Sequence, residues 1–567
     1  MPTQLLFGFG GSLPDDAYKV GQRSCGETHG VVLTKPHVVR LILALAGYSR
    51  EENLAALKLL EPSCGAGVFL VEAARRLAAS AVLHDVPWSE LHGCIRAFDI
   101  DERSVRASRA NVLTALKEAG VPGQEAAGLV ASWINQADFL LAPIDRVFDV
   151  VVGNPPYIRI EQLSVQLQTY YRTHYRTLFD RADLYVAFIE RGLSLLSERG
   201  VLSYICADRW TMNRYGSSLR RLIADSYGVR CYIDLHQASP FETEVIAYPS
   251  IFVLQRGPVR EPFFARLESG SSAECAAALS AYRSSKPTPR AKRINAARFP
   301  AWFTGDEPWV LSTPEHLAVL RGLEASYRPL ESDNSTKVGI GVASGSDATF
   351  IVNRDTDIEL DRLVPLVMRS HIENGRISWD GRFVINTFQD DGGAINLREY
   401  PKLGRYFRER EATIRKRHVS KRSEAFWFRT IDRVYPKLVK RPKLLIPDIA
   451  GSNEVAFDPG EYHPHHNLYF VVSESWDLEV LGGLLSSKVA LFFVWSYAVK
   501  MRGGYLRFQA QYLRRIRVPR PQTIPVNLQG AIRDAFRERD FPKLDALALK
   551  AYALRQLPEF PFVDTRR

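Results

Sequence analysis

Asn154-Pro155-Pro156-Tyr157 follows the apolar run Phe148-Asp149-Val150-Val151-Val152-Gly153, and this tetrapeptide sets the chemistry the chain can perform. Two consecutive prolines remove two N–H donors and bias the residue before each toward extended geometry. The carbonyls of Asn154 and Pro155 are then able to face a substrate rather than close a helix. Asn154 Oδ1 and the Pro155 carbonyl can both accept from one exocyclic amino group, drawing its lone pair out of ring conjugation and making the nitrogen nucleophilic. Tyr157 adds a face on which a planar ring can stack. The alternative is a plain proline-rich turn after a strand. With asparagine before the prolines and an aromatic after them, methyl transfer to an amino group is the favoured chemistry.

The preceding apolar run suits a buried strand of a parallel sheet, whose carboxyl ends are where such folds gather ligands. Three further strand ends upstream offer suitable groups. Leu57 to Glu61 runs into Pro62-Ser63-Cys64-Gly65-Ala66-Gly67, and a helical pattern spans Phe69 to Ala79. Gly65 and Gly67 let a ligand approach the backbone where a Cβ would collide. The run Cys94 to Phe98 ends in Asp99-Ile100-Asp101, which suits a carboxylate accepting from ribose hydroxyls. At Asp138-Phe139 the carboxylate can accept from an adenine amino group and the ring can flank it. Each acid taken singly reads equally as a helix cap or a solvated turn.

In order, Thr34-Lys35-Pro36, Leu60-Glu61-Pro62-Ser63-Cys64-Gly65-Ala66-Gly67, Asp99-Ile100-Asp101, Asp138-Phe139 and Asn154-Pro155-Pro156-Tyr157 resemble the motifs of γ-class DNA adenine-N6 methyltransferases of the TaqI type. The resemblance implies S-adenosylmethionine as cofactor. It implies that Glu61 meets the methionine amino group, Asp99 the ribose, and Asp138 with Phe139 the cofactor adenine. Ser63, Gly65, Gly67 and Ile100 belong to the same cofactor-binding stretches, and Thr34 to a segment closing over the methionine end. That segment usually reads Thr-Pro-Pro, whereas here Lys35 stands in the middle. Similarity continues through Asp183 to Phe188 and Pro240 to Val245, which makes Phe241 the second aromatic against a flipped base, with a core phenylalanine as the other reading.

The implied architecture is α/β: a doubly wound, Rossmann-like S-adenosylmethionine-dependent methyltransferase domain over residues 1–257, then a mixed α+β DNA target-recognition domain within 258–567. The stretch from 258 to about 330 is expected to be connecting chain, because Arg256-Gly257-Pro258 and the polar, Pro-containing Ser284 to Arg290 punctuate it. The chain has 567 residues, enough for at least two cores, and a formal net charge of +11 that points to a polyanionic partner. Double-stranded DNA is the expected partner, bound by a monomer. No stretch suits a bilayer span and Met1 to Gly8 lacks a basic signal-peptide start, so a cytoplasmic location is expected. Six cysteines without a C-x-x-C pair predict free thiols, and no metal is expected. Only about thirty residues precede Thr34, too few for a fused nuclease domain, so any restriction endonuclease is expected to be a separate polypeptide.

The second half is more basic. Arg415, Lys416, Arg417, Lys421, Arg422, Arg429, Arg433, Lys437, Lys440, Arg441 and Lys443 surround Phe426-Trp427-Phe428, and Lys500, Arg502, Arg507, Arg514, Arg515, Arg517 and Arg520 follow around Gly503-Gly504-Tyr505. Two such runs beside apolar strands predict phosphate and base contacts. Val338 to Gly345 resembles the same family's recognition domain. Pro447-Asp448 with Glu454 begins like a nuclease signature but has Ala456 in place of lysine, and reads as a strand end and turn. His463-Pro464-His465-His466 lacks a carboxylate pair in a ligand pattern and reads as a surface loop or DNA contact. The Tyr- and Arg-rich loop from Ile158 to Asp183 is either a mobile DNA-facing element or a packed helical insertion.

Other classes fit less well. An RNA or protein-glutamine methyltransferase shares the Asn-Pro-Pro-Tyr chemistry but leaves the basic half unexplained. A cytosine-N4 enzyme more often carries serine at position 154. A nicotinamide dehydrogenase wants G-x-G-x-x-G, and the turn here continues Gly67-Val68-Phe69-Leu70. A catalytically silent DNA-binding module is separable by titration with S-adenosylmethionine.

Overall fold

The computed structural model describes residues 33–243, 248–284, 294–299, 302–310, 312–332, 334–421, 424–450, 454–498 and 506–560. Cys25, Glu244, Val245, the stretch from Ser285 to Arg290, Arg422, Lys500, Arg502 and Gly503-Gly504-Tyr505 lie outside them. The chain divides into two compact units, Met1–Val310 and Leu311–Arg567.

The first unit alternates helices and strands: α1 (Pro36–Leu45), β1 (Leu59–Glu61), α2 (Val68–Leu83), β2 (Ile95–Asp99), α3 (Glu102–Glu118), α4 (Gly123–Trp133), β3 (Ile134–Gln136), β4 (Phe148–Gly153), α5 (Val165–His174), α6 (Tyr185–Ser194), β5 (Leu196–Ala207), α7 (Ser217–Ser226), β6 (Tyr227–Asp234), β7 (Pro249–Arg256), β8 (Phe263–Arg266), α8 (Ser272–Arg283) and β9 (Asn295–Arg298). The strands form one sheet of order β3-β2-β1-β4-β5-β7-β6-β8-β9. Strands β1 to β5 are parallel, and β7 runs antiparallel to both neighbours. Inserting β7 between β5 and β6 separates this sheet from the dinucleotide-binding order 3-2-1-4-5-6. The order reverses between β1 and β4, which opens a crevice at their carboxyl ends.

Burial explains the alternation. Leu59 and Leu60 of β1 and Val150, Val151 and Val152 of β4 are buried on both faces of the sheet, as parallel strands covered by helices require. Helices α1 and α2 present Val38, Ile42, Leu70, Ala73 and Leu77 to a core shared with Ile95, Val150 and Ile205.

The connecting chain expected over 258 to about 330 is instead part of this unit as far as Val310, and its remainder opens the second unit. Strand β8 pairs with β6 and β9 with β8, and Trp309 packs on Trp210 with ring centroids 4.8 Å apart. Apolar side chains such as Phe263, Phe264, Trp302 and Trp309 are fully or nearly buried, which keeps the boundary from falling at residue 257.

The second unit carries α9 (Pro314–Ser326), β10 (Thr336–Ile340), β11 (Ile351–Asn353), β12 (Leu363–Val367), β13 (Arg382–Ile385), α10 (Pro401–Glu409), β14 (Lys443–Pro447), β15 (Ala456–Asp458), β16 (His463–Pro464), β17 (Leu468–Ser473), α11 (Leu478–Leu485), α12 (Lys488–Tyr497), α13 (Val526–Glu538) and α14 (Phe541–Ala551). Two four-stranded sheets result, β10-β17-β14-β15 and β11-β13-β12-β16. Among the described residues no single helix is long and apolar enough to cross a membrane.

Several basic side chains expected at a DNA surface are structural here. Lys443 is fully buried and its ammonium meets the equally buried Asp458 at 2.7 Å, donating also to the Val439 and Arg441 carbonyls. The Arg417 guanidinium donates to the carbonyls of Ser344, Trp427 and Arg429, and burial pulls its pKa down to about 10. Trp427 and Phe428 belong to a core with Phe350 and Phe407. The histidine cluster is likewise not a surface loop: His463 and His465 are buried, and burial drives the His463 imidazole down to about 4. Arg415, Lys416, Lys421, Lys437, Lys440 and Arg441 remain exposed.

Candidate active site

The carboxyl ends of β1, β2 and β4 hold the polar groups that the fold concentrates at its switch point. Glu61, last residue of β1, is 1 % exposed, and its Oε2 has no hydrogen-bond partner among the described residues. Burial, and then the nearby Asp99 carboxylate, hold the Glu61 carboxyl well above the usual carboxylate range. A desolvated carboxylate oxygen without a partner is costly in isolation, so this position is built to receive a cationic or donor group. The S-adenosylmethionine amino group fits that requirement.

Between β1 and α2 the backbone takes left-handed conformations at Gly65 (φ +52) and Gly67 (φ +85), which L side chains rarely adopt. The space over Gly65 is open, whereas a Cβ on Gly67 would lie 2.5 Å from Ser108 Oγ on α3. One glycine thus leaves room above the turn, and the other lets α3 approach. Asp99 accepts from the Gly65 N–H at 2.8 Å and the Asp101 N–H at 2.9 Å, which orients its carboxylate beside the half-buried Ile100. Burial raises the Asp99 pKa. Asp101 is spent otherwise, capping α3 through the Ser104 N–H at 2.9 Å.

Asp138 follows β3 and is 7 % exposed. One oxygen accepts from the Leu140 N–H at 2.8 Å and the other from the Tyr171 hydroxyl at 2.5 Å. Tyr171 comes from α5, so the segment from Ile158 to Asp183 is a packed insertion: Tyr171 and Tyr175 are buried, and the backbones of Arg159 and Asp183 pair in an isolated antiparallel bridge. The Phe139 ring is 2 % exposed, 5.3 Å from Phe188 and 6.0 Å from Phe98, with the Arg191 guanidinium 5.1 Å from its centroid. Its ring therefore already packs inside the protein.

At the end of β4, Asn154 donates Nδ2 to Thr34 Oγ1 at 3.4 Å, and its backbone carbonyl accepts from Ser63 Oγ at 3.1 Å. The Asn154 carbonyl is thus held inside the protein instead of facing a substrate, and the Ser63 hydroxyl ties the β1 loop to the β4 loop. Pro155 is buried beside them. Thr34 pairs with Phe241 in an isolated antiparallel bridge, flanked by Lys35 N–H to Pro240 O and Glu242 N–H to Leu33 O, each 2.9 Å. The bridge brings Phe241, 5 % exposed, edge-on to Tyr157 at 6.3 Å, while Tyr185 meets Tyr157 at 6.2 Å. Burial pushes the Tyr157 hydroxyl well above its ordinary pKa, and the hydroxyl has no partner among the described residues.

Two contributions were not visible in local sequence pattern: the Tyr171 hydroxyl on Asp138, and a buried Asp208 after β5 that accepts from Tyr232 at 3.0 Å and His236 at 2.6 Å. Their partners come from distant elements, and no spacing rule links them.

A parallel sheet interrupted by antiparallel β7, a glycine turn after β1 and acids ending β1 and β2 define an S-adenosylmethionine-dependent methyltransferase unit. Residues 93–241 match the Eco57I restriction-modification methylase family, and residues 372–518 the TaqI-like C-terminal specificity domain. The chain is 44 % identical over 542 residues to the type II methyltransferase M.BstVI of Geobacillus stearothermophilus, covering 93 % of this chain and 96 % of the relative. It is 42 % identical to M.PaeR7I of Pseudomonas aeruginosa, with 93 % and 92 % covered, and 40 % identical to M.XhoI of Xanthomonas vasicola, with 94 % and 98 % covered. The type IIL restriction-modification enzyme MmeI, solved in complex with DNA, shares the fold at TM-score 0.56 and 12 % identity, with 96 % of this chain and 74 % of MmeI covered. The chain belongs to the type II restriction-modification methyltransferases, site-specific DNA methyltransferases that use S-adenosylmethionine.

Proposed function

We propose that the transferred methyl goes to the N6 atom of adenine in double-stranded DNA. The observation that carries this reading is the cluster in which Thr34 holds the Asn154 amide nitrogen and pairs with Phe241, whose ring meets Tyr157 edge-on just beyond Asn154 and Pro155. Asparagine at position 154 favours adenine over cytosine-N4 chemistry.

S-adenosylmethionine, when bound, supplies an electrophilic methyl group. Glu61 would hold the methionine amino group, Asp99 the ribose hydroxyls and Asp138 the adenine amino group, with Phe139 supporting that strand end from its packing against Phe98 and Phe188. Gly65, Gly67, Ser63 and Ile100 shape the turn, and Thr34 closes the methionine end. An adenine stacked in duplex DNA keeps N6 out of reach of such a cluster, so the base leaves the stack. Tyr157 and Phe241 receive its ring. Asn154 Oδ1 and the Pro155 carbonyl accept the two N6 hydrogens, localise the lone pair on nitrogen and orient it for in-line attack. We further propose that the chain acts on DNA as a monomer and in the cytoplasm.

The test is product analysis. DNA methylated by the purified protein, digested to nucleosides and resolved by mass spectrometry, yields N6-methyldeoxyadenosine. N4-methyldeoxycytidine as sole product overturns the adenine assignment.

A further inference from the structure

We propose that Asp347, His465 and His466 form a divalent transition-metal site in the second unit. The run His463-Pro464-His465-His466 lacks a carboxylate of its own, and the fold supplies one from far along the chain. Asp347 opens the one-turn helix Asp347–Phe350, and its Oδ1 lies 3.2 Å from His465 Nε2. One ligand atom from each of the three residues falls within 4.8 Å of the other two, and the two imidazoles stand 4.1 Å apart at 60°.

These spacings fit one small ion. Donors about 2.0–2.2 Å from a tetrahedral zinc lie roughly 3.3–3.6 Å from each other. Asp347 Oδ1 and His465 Nε2, hydrogen-bonded to each other at 3.2 Å, lie just inside that separation, and a bound ion replaces the proton they share. His466 is exposed, so a side-chain rotation closes the remaining gap.

The backbone under the donors is fixed. His465 N–H donates to Val367 O at 2.9 Å and His466 N–H to Val342 O at 3.0 Å, and Val342 bridges His465. Ser344, 1 % exposed, donates its hydroxyl to Asp347 Oδ1 at 2.5 Å, the kind of outer contact that orients a ligating carboxylate. Two imidazoles and one carboxylate select zinc, cobalt or nickel over magnesium or calcium. His465 is 2 % exposed while the Asp347 side chain is 45 % exposed, so the site is closed on one side and leaves a further position to water on the other. Such an ion ties the turn after β10 to the link between β16 and β17, inside the unit that carries the specificity domain.

The test uses tag-free, full-length protein stripped with chelator at pH 7.5, titrated with ZnCl2 by calorimetry and with CoCl2 by visible absorption. One equivalent of Zn2+ is expected to bind and raise the melting temperature, and Co2+ to give d–d bands of a low-coordinate nitrogen and oxygen site. His466→Ala leaves the Asp347–His465 pair intact, and both it and Asp347→Asn are expected to weaken Zn2+ binding at least roughly 10–100-fold. Absence of saturable Zn2+ uptake, or one-equivalent uptake retained by both variants, overturns the proposal.

Discussion

Phe241 meets Tyr157 edge to face, with ring centroids 6.3 Å apart and planes at 86°. The two rings belong to loops after β6 and β4, which the sheet order separates by β5 and β7, and the Thr34–Phe241 bridge closes the same cluster from the chain segment before α1. The ring pair thus depends on a backbone pairing as well as on side-chain packing.

Tyr157→Ala and Phe241→Ala are each expected to lower the rate of methyl transfer while leaving S-adenosylmethionine affinity close to wild type. A base-stacking platform contributes roughly 1–3 kcal/mol. With 2-aminopurine at the target position, the wild-type protein unstacks the base and changes its fluorescence, and Tyr157→Ala reduces that change. Unaltered turnover and fluorescence in Tyr157→Ala would make the ring purely structural.

Glu61 couples cofactor binding to pH. Unfolded, its carboxyl ionises near about 4.3; folded, burial and Asp99 raise that value. Between the two values the folded protein binds the extra proton, so ligand-free stability falls as pH rises through this window and stays lower above it. Glu61→Gln removes the loss, giving a ligand-free protein that melts higher than wild type at pH 8. The same change weakens S-adenosylmethionine binding roughly 10–100-fold, since a charge-assisted hydrogen bond contributes about 1.5–3 kcal/mol. Thermal melts across pH with cofactor titrations check both arms.

The buried Lys443–Asp458 pair predicts an asymmetric stability effect. Lys443→Met leaves Asp458 buried without its cation and is expected to cost about 3–5 kcal/mol, read as a lower denaturation midpoint. Lys440→Ala, at an exposed neighbouring position, is expected to leave the midpoint nearly unchanged.

Arg415 and Arg417 stand close in sequence and differ in role. Exposed Arg415→Ala is expected to remove one phosphate contact and reduce the slope of log affinity against log salt by roughly 0.9. Arg417→Ala, which deletes bonds to four carbonyls, is expected to destabilise the fold before it alters that slope. Fluorescence-anisotropy titrations at several salt concentrations, run beside melts, separate the two.

The strand ends were legible because each ends an apolar run with a polar group, and the structure places Glu61, Asp99, Asp138 and Asn154 at or just beyond strands β1 to β4. Motif order points to Phe241, but its contact with Tyr157 comes from a bridge between segments far apart, which no local periodicity encodes. Arg256-Gly257-Pro258 does punctuate the chain, with Gly257 at φ 72, yet β8 and β9 return to the same sheet after it, so local punctuation does not mark the domain boundary. Charge counting misassigned Lys443 and Arg417, since composition cannot distinguish a guanidinium that satisfies buried carbonyls from one that meets phosphate. The carboxylate missing from the histidine run was 118 residues away.

Asn154 carries the central claim, and single-turnover methyl transfer by Asn154→Ala, measured beside its S-adenosylmethionine affinity, tests it most directly. The account predicts a fall in the rate of roughly 10²–10³-fold, comparable to loss of one preorganised transition-state hydrogen bond, with cofactor affinity nearly intact. Transfer at the wild-type rate, or a loss explained wholly by weakened cofactor binding, would contradict it.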